Sequence, residues 1–250
     1  MSIVEDALVA IKIYAPDIVK ELVLKPIAES GLDKLLHISN NPNIAVFTPI
    51  VPKRAGVGED LRIPRICTAS SLTGCVIGYN GVVQDFYNTE EGFKCEYTIY
   101  AFKPAVVVKP SNKLLPPVEI TGERWIIAHA NNTEYVPEII GKLTIIGVQS
   151  HPTLVSGKTV IEDNLEFVLE VKAGHNVSWT VGMPPLAAGH YYIKANKLPN
   201  WGYYQENVDY RTYSLSDNAV IKNITKEDYV ASLQSVGLLD RQIMPAYLKW

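Results

Sequence analysis

The sequence predicts an α+β chain: N-terminal helices, a mixed β-rich core with one inserted helix, and a C-terminal β segment closed by a helix. Three observations carry this expectation. Apolar side chains recur at helical spacing before Gly31, short β-type runs punctuated by Pro, Gly and Asn follow from Leu35, and a capped helical stretch stands near the end. With 250 residues, 47% of them hydrophobic and 20% charged, the chain has enough apolar surface to offset its conformational entropy without a staple, which excludes global disorder.

The elements follow in order. Ile3, Val4, Leu8 and Ile11 predict a first helix over 3–13, and Ile18, Val19, Leu22, Val23 and Ile27 a second over 17–30. Pro16 separates them, Asp17 caps the second and Gly31 stops it. The runs LLHIS, NIAVFTPIV, RICTA, CEYTIYAF, AVVVK, VEITGERWIIA and KLTIIGVQ then read as strands. A helix from Ser70 or Ser71 to about Gln84 interrupts them, with Leu72, Cys75, Val76 and Tyr79 on one face and Gly74, Gly78 and Gly81 weakening it. After His151-Pro152 a second β series begins, in which Leu165, Phe167, Leu169 and Val171 alternate with a largely wet face. Thr225 to Asp228 resembles a capping box opening a helix to about Val236. The expected division is a helical segment 1–31, a β-rich core 32–150 and a C-terminal segment 151–250.

Several function classes drop out. A net charge of −3 and a pI near 6.0 provide no long-range field for nucleic acid or an anionic membrane. Apolar runs such as Ala105–Val108 are far shorter than the roughly 20 residues of a spanning helix. The N-terminus carries acid and has no basic segment before its apolar residues, so secretion is not expected. Cys67, Cys75 and Cys95 show no C-x-x-C spacing and an odd count, which predicts reduced, mostly buried thiols. No nucleophile elbow, P-loop, dinucleotide glycine motif or H-E-x-x-H occurs, and His129, His151, His175 and His190 stand singly, so no metal site and no prosthetic group are expected.

The motifs that remain form an ordered series: Leu36-His37-Ile38-Ser39, Pro49-Ile50-Val51-Pro52, Gly58-Glu59-Asp60, Pro64-Arg65-Ile66-Cys67-Thr68-Ala69-Ser70, and Thr121-Gly122-Glu123-Arg124-Trp125. The series resembles a group of phage and bacterial proteins sharing a His-x-Ser strand, a Pro-x-Val/Ile-Pro turn, a Pro-Arg-Ile/Val-Cys strand entering a helix, and a Gly-Glu-x-Trp strand. It covers about residues 35–148 and is distantly similar to the ADP-ribosyltransferase superfamily. That resemblance implies NAD or a related nucleotide as substrate, with Glu123 and Ser70 catalytic and His37, Arg65 and Thr68 binding the dinucleotide. His37 would hold the adenosine-side ribose. Glu123 would stabilise the positive charge that develops at the other ribose as nicotinamide leaves. Thr68-Ala69-Ser70-Ser71 stands where the family has a Tyr or a Ser-Thr-Ser, and the Tyr is missing.

Each residue also has a plainer reading. His37 fits a core or edge histidine, Glu123 an exposed strand residue paired with a cross-strand base, and Arg65 a structural ion pair. A second function is therefore carried alongside the first: a non-enzymatic structural or interaction protein, such as a phage-particle component, with a protein partner or a second copy of itself. Its contact residues would be Trp201, Tyr203 and Tyr204, in a Tyr/Trp-rich stretch with Pro199 and Gly202. Either role places the chain in the cytoplasm of an infected cell or in a virion.

Overall fold

The computed structural model describes residues 2–52, 59–79, 85–86, 95–115, 118–129, 132–155, 158–200, 212–215 and 219–236. For 120, 150–155, 158–163, 197–200, 212–215 and 236 it describes the backbone alone. The fold is α+β, built on one antiparallel sheet.

Helix α1 (Ile3–Tyr14) starts on a capping box: Ser2 Oγ accepts from Glu5 N at 3.2 Å and Glu5 Oε2 from Ser2 N at 2.6 Å. The second predicted helix does not form. A 3-10 turn, Pro16–Glu21, leads into an edge strand, β1 (Leu22–Pro26), and a further 3-10 turn follows at Ile27–Glu29. Two causes act together: Pro26 cannot sit inside a helix, and Leu22 and Leu24 turn inward while Val23 and Lys25 face water, a period of two.

The strands β2 (Leu35–Ser39), β3 (Arg65–Ala69), β4 (Glu96–Phe102), β5 (Val106–Pro110) and β6 (Glu123–Ile127) form the first half of the sheet. The second half is β7 (Glu138–Val155), β8 (Lys158–Val171), β9 (Gly189–Asn200), β10 (Thr212–Leu215) and β11 (Val220–Ile224). The order is β1-β5-β6-β3-β2-β4-β7-β8-β9-β10, with β11 also on β9. All three expected segments contribute to this sheet, and the expected boundary at His151-Pro152 falls inside β7.

One face of the sheet is covered by helices. Ala7 and Ile11 of α1 pack on Val106, Val108 and Trp125, while Leu72, Cys75 and Val76 of α2 (Leu72–Tyr79) pack on Leu36, Ala69, Ile99 and the inner residues of β7 and β8. Each buried Leu, Ile or Val among them contributes about 1.5–3 kcal/mol. The opposite face holds Leu35, Ile66, Tyr100, Phe102 and Ile126 under Ile44, Phe47 and Tyr135. Helix α2 follows the sequence expectation at its start, where Ser71 Oγ accepts from Gly74 N at 3.2 Å. The C-terminal helix spans Lys226–Val236, and Thr225 Oγ1 accepts from Asp228 N at 3.1 Å, as its capping pattern predicts. Among the described residues no helix is long and apolar enough to cross a membrane.

Candidate functional site

Register decides which predicted residues meet. Ala69 stands opposite Leu36 on one side and opposite Glu123 on the other, so Leu36, Ala69 and Glu123 point to the same face of the sheet. His37 therefore points to the other face, in line with its partner Tyr100. Strand β3 also separates β2 from β6. The sheet does not bring His37 and Glu123 together.

On the helix-covered face, β3 presents Arg65 and Cys67, and β6 presents Glu123 and Trp125, each pair sharing the parity of its strand. Asp60 prepares the entry to β3: its carboxylate accepts from Arg62 N at 2.9 Å and Ile63 N at 3.0 Å, closing a tight turn. Arg65 then runs inward with no side-chain exposure. It donates to the carbonyls of Asp60 at 2.8 Å and Ile63 at 3.1 Å and to the Glu59 carboxylate, with its guanidinium carbon 4.2 Å from the Trp125 ring centroid. The ion-pair reading of Arg65 is the one realised.

Glu123 reaches this cluster through Gly122, whose φ of 60° ends the short helix Val118–Thr121 and starts β6. The Glu123 side chain is buried, contrary to the exposed-strand reading, because α2 lies over this end of the strand. Trp125 Nε1 donates to its Oε1 at 2.9 Å. Burial, and then the nearby Glu59 charge, favours the protonated Glu123 carboxyl, although the Cys67 thiol and Trp125 oppose the shift by donating to it. Burial and the Glu123 charge likewise push the Cys67 thiol well above its usual range. One ligand atom each from Glu59, Cys67 and Glu123 lies within 4.8 Å of the other two.

The opposite face carries His37, Thr68 and Arg124. Strands β2 and β3 share a single paired position, Leu36 with Ala69, and beyond it the His37 imidazole takes the place of a ladder hydrogen bond, its Nδ1–H donating to the Cys67 carbonyl at 2.9 Å. That bond fixes the tautomer. Burial holds the ring neutral, and Phe47 packs edge-on with centroids 5.1 Å apart. Thr68 donates to the Arg124 carbonyl at 2.7 Å, and Arg124 bends back to the carbonyls of Gly122 and Glu123 at 3.0 and 2.8 Å. The Ser70 hydroxyl lies beside the Gly122 corner, 3.6 Å from where a Cβ would stand. Trp201, Tyr203 and Tyr204 lie outside the described residues.

Comparison of the chain with protein-family models, curated proteins and solved structures finds no match. The site is thus read from its own geometry. Of the predicted residues, Arg65 and Glu123 share one buried cluster, and His37 and Thr68 share the reverse face. Glu59 and Cys67 were missed as partners of Glu123. For Cys67 the signal was present in the alternation of 65 with 67; Glu59 lies outside both strands and is brought in only by the turn at Asp60.

The thiols follow the expectation of reduced cysteines. All three are free, Cys75 and Cys95 are buried, and Cys67 is half-buried.

Proposed function

We propose that the chain is an interaction or structural protein that associates with a second copy of itself through a β-arm, and that it does not process NAD. The observation that carries this reading is the reach of β7 and β8. The ladder of β7 with β4 ends at Thr144, opposite Glu96, yet the ladder with β8 runs on to Val155 opposite Lys158. On the other side, the pairing of β8 with β9 ends at Asp163 opposite Lys197. Among the described residues β7–β8 thus narrows to a ribbon of two strands beyond the Ser150–Asp163 pair, about 17 Å long at the usual rise per residue, at the end of a projection that reaches about 35 Å past Thr144.

Such a ribbon is marginal in water and presents unpaired backbone on its edges. A second copy supplies an identical edge, and an isologous antiparallel pairing satisfies both at once. The strand β9 extends towards the same end, pairs Lys197–Asn200 with β10, and leads directly into the stretch containing Trp201, Tyr203 and Tyr204. The expected aromatic contact residues therefore follow β9 in sequence. NAD transfer, by contrast, requires His37 and Glu123 to serve one substrate from one cleft, and their opposite faces speak against it. A particle or assembly setting agrees with the phage proteins that the motifs resemble.

The test replaces residues 150–163 with Asn-Gly, a two-residue turn that closes the hairpin at the Gln149–Asn164 pair. Sedimentation velocity is expected to show the full chain above monomer size and the shortened chain as monomer, with both retaining a cooperative melt. A full chain that stays monomeric and hydrolyses NAD, with the activity lost in Glu123→Gln, overturns the reading.

A further inference from the structure

We propose that Glu59, Cys67 and Glu123 form a site for a divalent metal ion of the zinc class, independent of the arm. These residues come from three places in the chain: the segment before the Asp60 turn, the middle of β3 and the first residue of β6. Their ligand atoms lie within 4.8 Å of one another, whereas sulfur and oxygen ligands on a tetrahedral zinc stand roughly 3.5 Å apart at ordinary bond lengths. Side-chain shifts of about 1 Å close the set. One thiolate with two carboxylates suits a borderline-soft ion such as zinc, and three protein ligands leave a fourth position for water.

Charge balance supports the assignment. With Glu59, Cys67 and Glu123 ionised and Arg65 cationic, the cluster carries a net double negative charge, which a divalent ion cancels. The thiol must release its proton to become a ligand, so binding exchanges at least that proton for the ion, and no other reactant is needed. Arg65 has a place in this scheme. A carboxylate can accept a guanidinium on one oxygen and bind metal through the other, so Arg65 orients Glu59 in the way outer groups orient metal ligands. Trp125 does the same for Glu123 through its bond to Oε1.

The experiment titrates the metal-free full chain with Co²⁺ and Zn²⁺. Cobalt is expected to produce the intense near-ultraviolet absorption of a thiolate ligand, and about one equivalent of zinc is expected to survive desalting and to raise the melting temperature. Cys67→Ser should abolish the cobalt absorption, while Glu59→Gln and Glu123→Gln weaken zinc by about tenfold or more. Cys95→Ser, outside the cluster, should change neither. Melts without metal show whether each variant folds, and Glu59→Gln, at the margin of the core, keeps the test open if Cys67→Ser does not. No thiolate absorption in the wild-type chain, or equal zinc binding in wild-type and folded Glu59→Gln and Glu123→Gln proteins, overturns the proposal.

Discussion

Glu123 makes a prediction that belongs to a single side chain. Its carboxyl is protonated more readily in the folded chain than in the unfolded one because burial penalises the charge. The sign follows: folding is helped fully below the ordinary value of 4.5, and that help is lost as pH rises through the raised folded value. Gln cannot ionise and can still accept from Trp125. Melts of wild type and Glu123→Gln from about pH 4 to about pH 8 should therefore diverge, with the variant gaining stability relative to wild type as pH rises. Parallel curves contradict this. Arg65 belongs to the same scale. Arg65→Met leaves Glu59 without its guanidinium and should cost about 3–5 kcal/mol in a denaturant melt, whereas an effect under about 1 kcal/mol would mean that the pair adds nothing. At this scale the sequence was legible in part. Arg65 and Glu123 stood out as chemistry, and Arg65 finds Glu59, Asp60 and Ile63 locally, but that it and Cys67 share a cluster with Glu123 and Trp125 depends on pairing across strands 54 or more positions apart, seen in Ala69 opposite Glu123.

Among the elements, α2 shows how one helix can hold two glycines for different reasons. A Cβ on Gly74 would stand 2.1 Å from the Thr121 carbonyl oxygen, whereas one on Gly78 meets nothing within 4 Å. Gly74 is thus the contact that seats α2 against the helix Val118–Thr121, beside Glu123. Alanine at 78 should raise stability by about 1 kcal/mol, and alanine at 74 should lower it by about 1–3 kcal/mol or more, both read from denaturant melts. Equal effects would refute this account of the packing. Composition marked both glycines as helix-weakening and could not separate them, because close approach is a property of the neighbour. The same limit explains β1. Leu22, Val23 and Ile27 fit a helical stripe while Leu22 and Leu24 fit a strand alternation over so short a run, and only pairing with Val106–Pro110 decides between them. The C-terminal helix was legible because its cap is local, four residues from Thr225 to Asp228.

For the whole molecule, pairing order matters more than any motif. The β runs after Leu35 were visible in the sequence, yet the expected segments at 1–31, 32–150 and 151–250 merge in one sheet because β1 crosses to β5 and β7 continues past His151-Pro152. That continuity creates the arm, the order β6-β3-β2 keeps His37 and Glu123 on non-adjacent strands, and the register that sets Ala69 opposite both Leu36 and Glu123 sends them to opposite faces. Amide hydrogen exchange followed against both protein concentration and added NAD tests the two consequences together. The account predicts that protection across 150–155 and 158–163 rises as the chain assembles, while NAD leaves β2 and β6 unchanged. NAD-induced protection in both β2 and β6, with exchange in the ribbon independent of concentration, would contradict it.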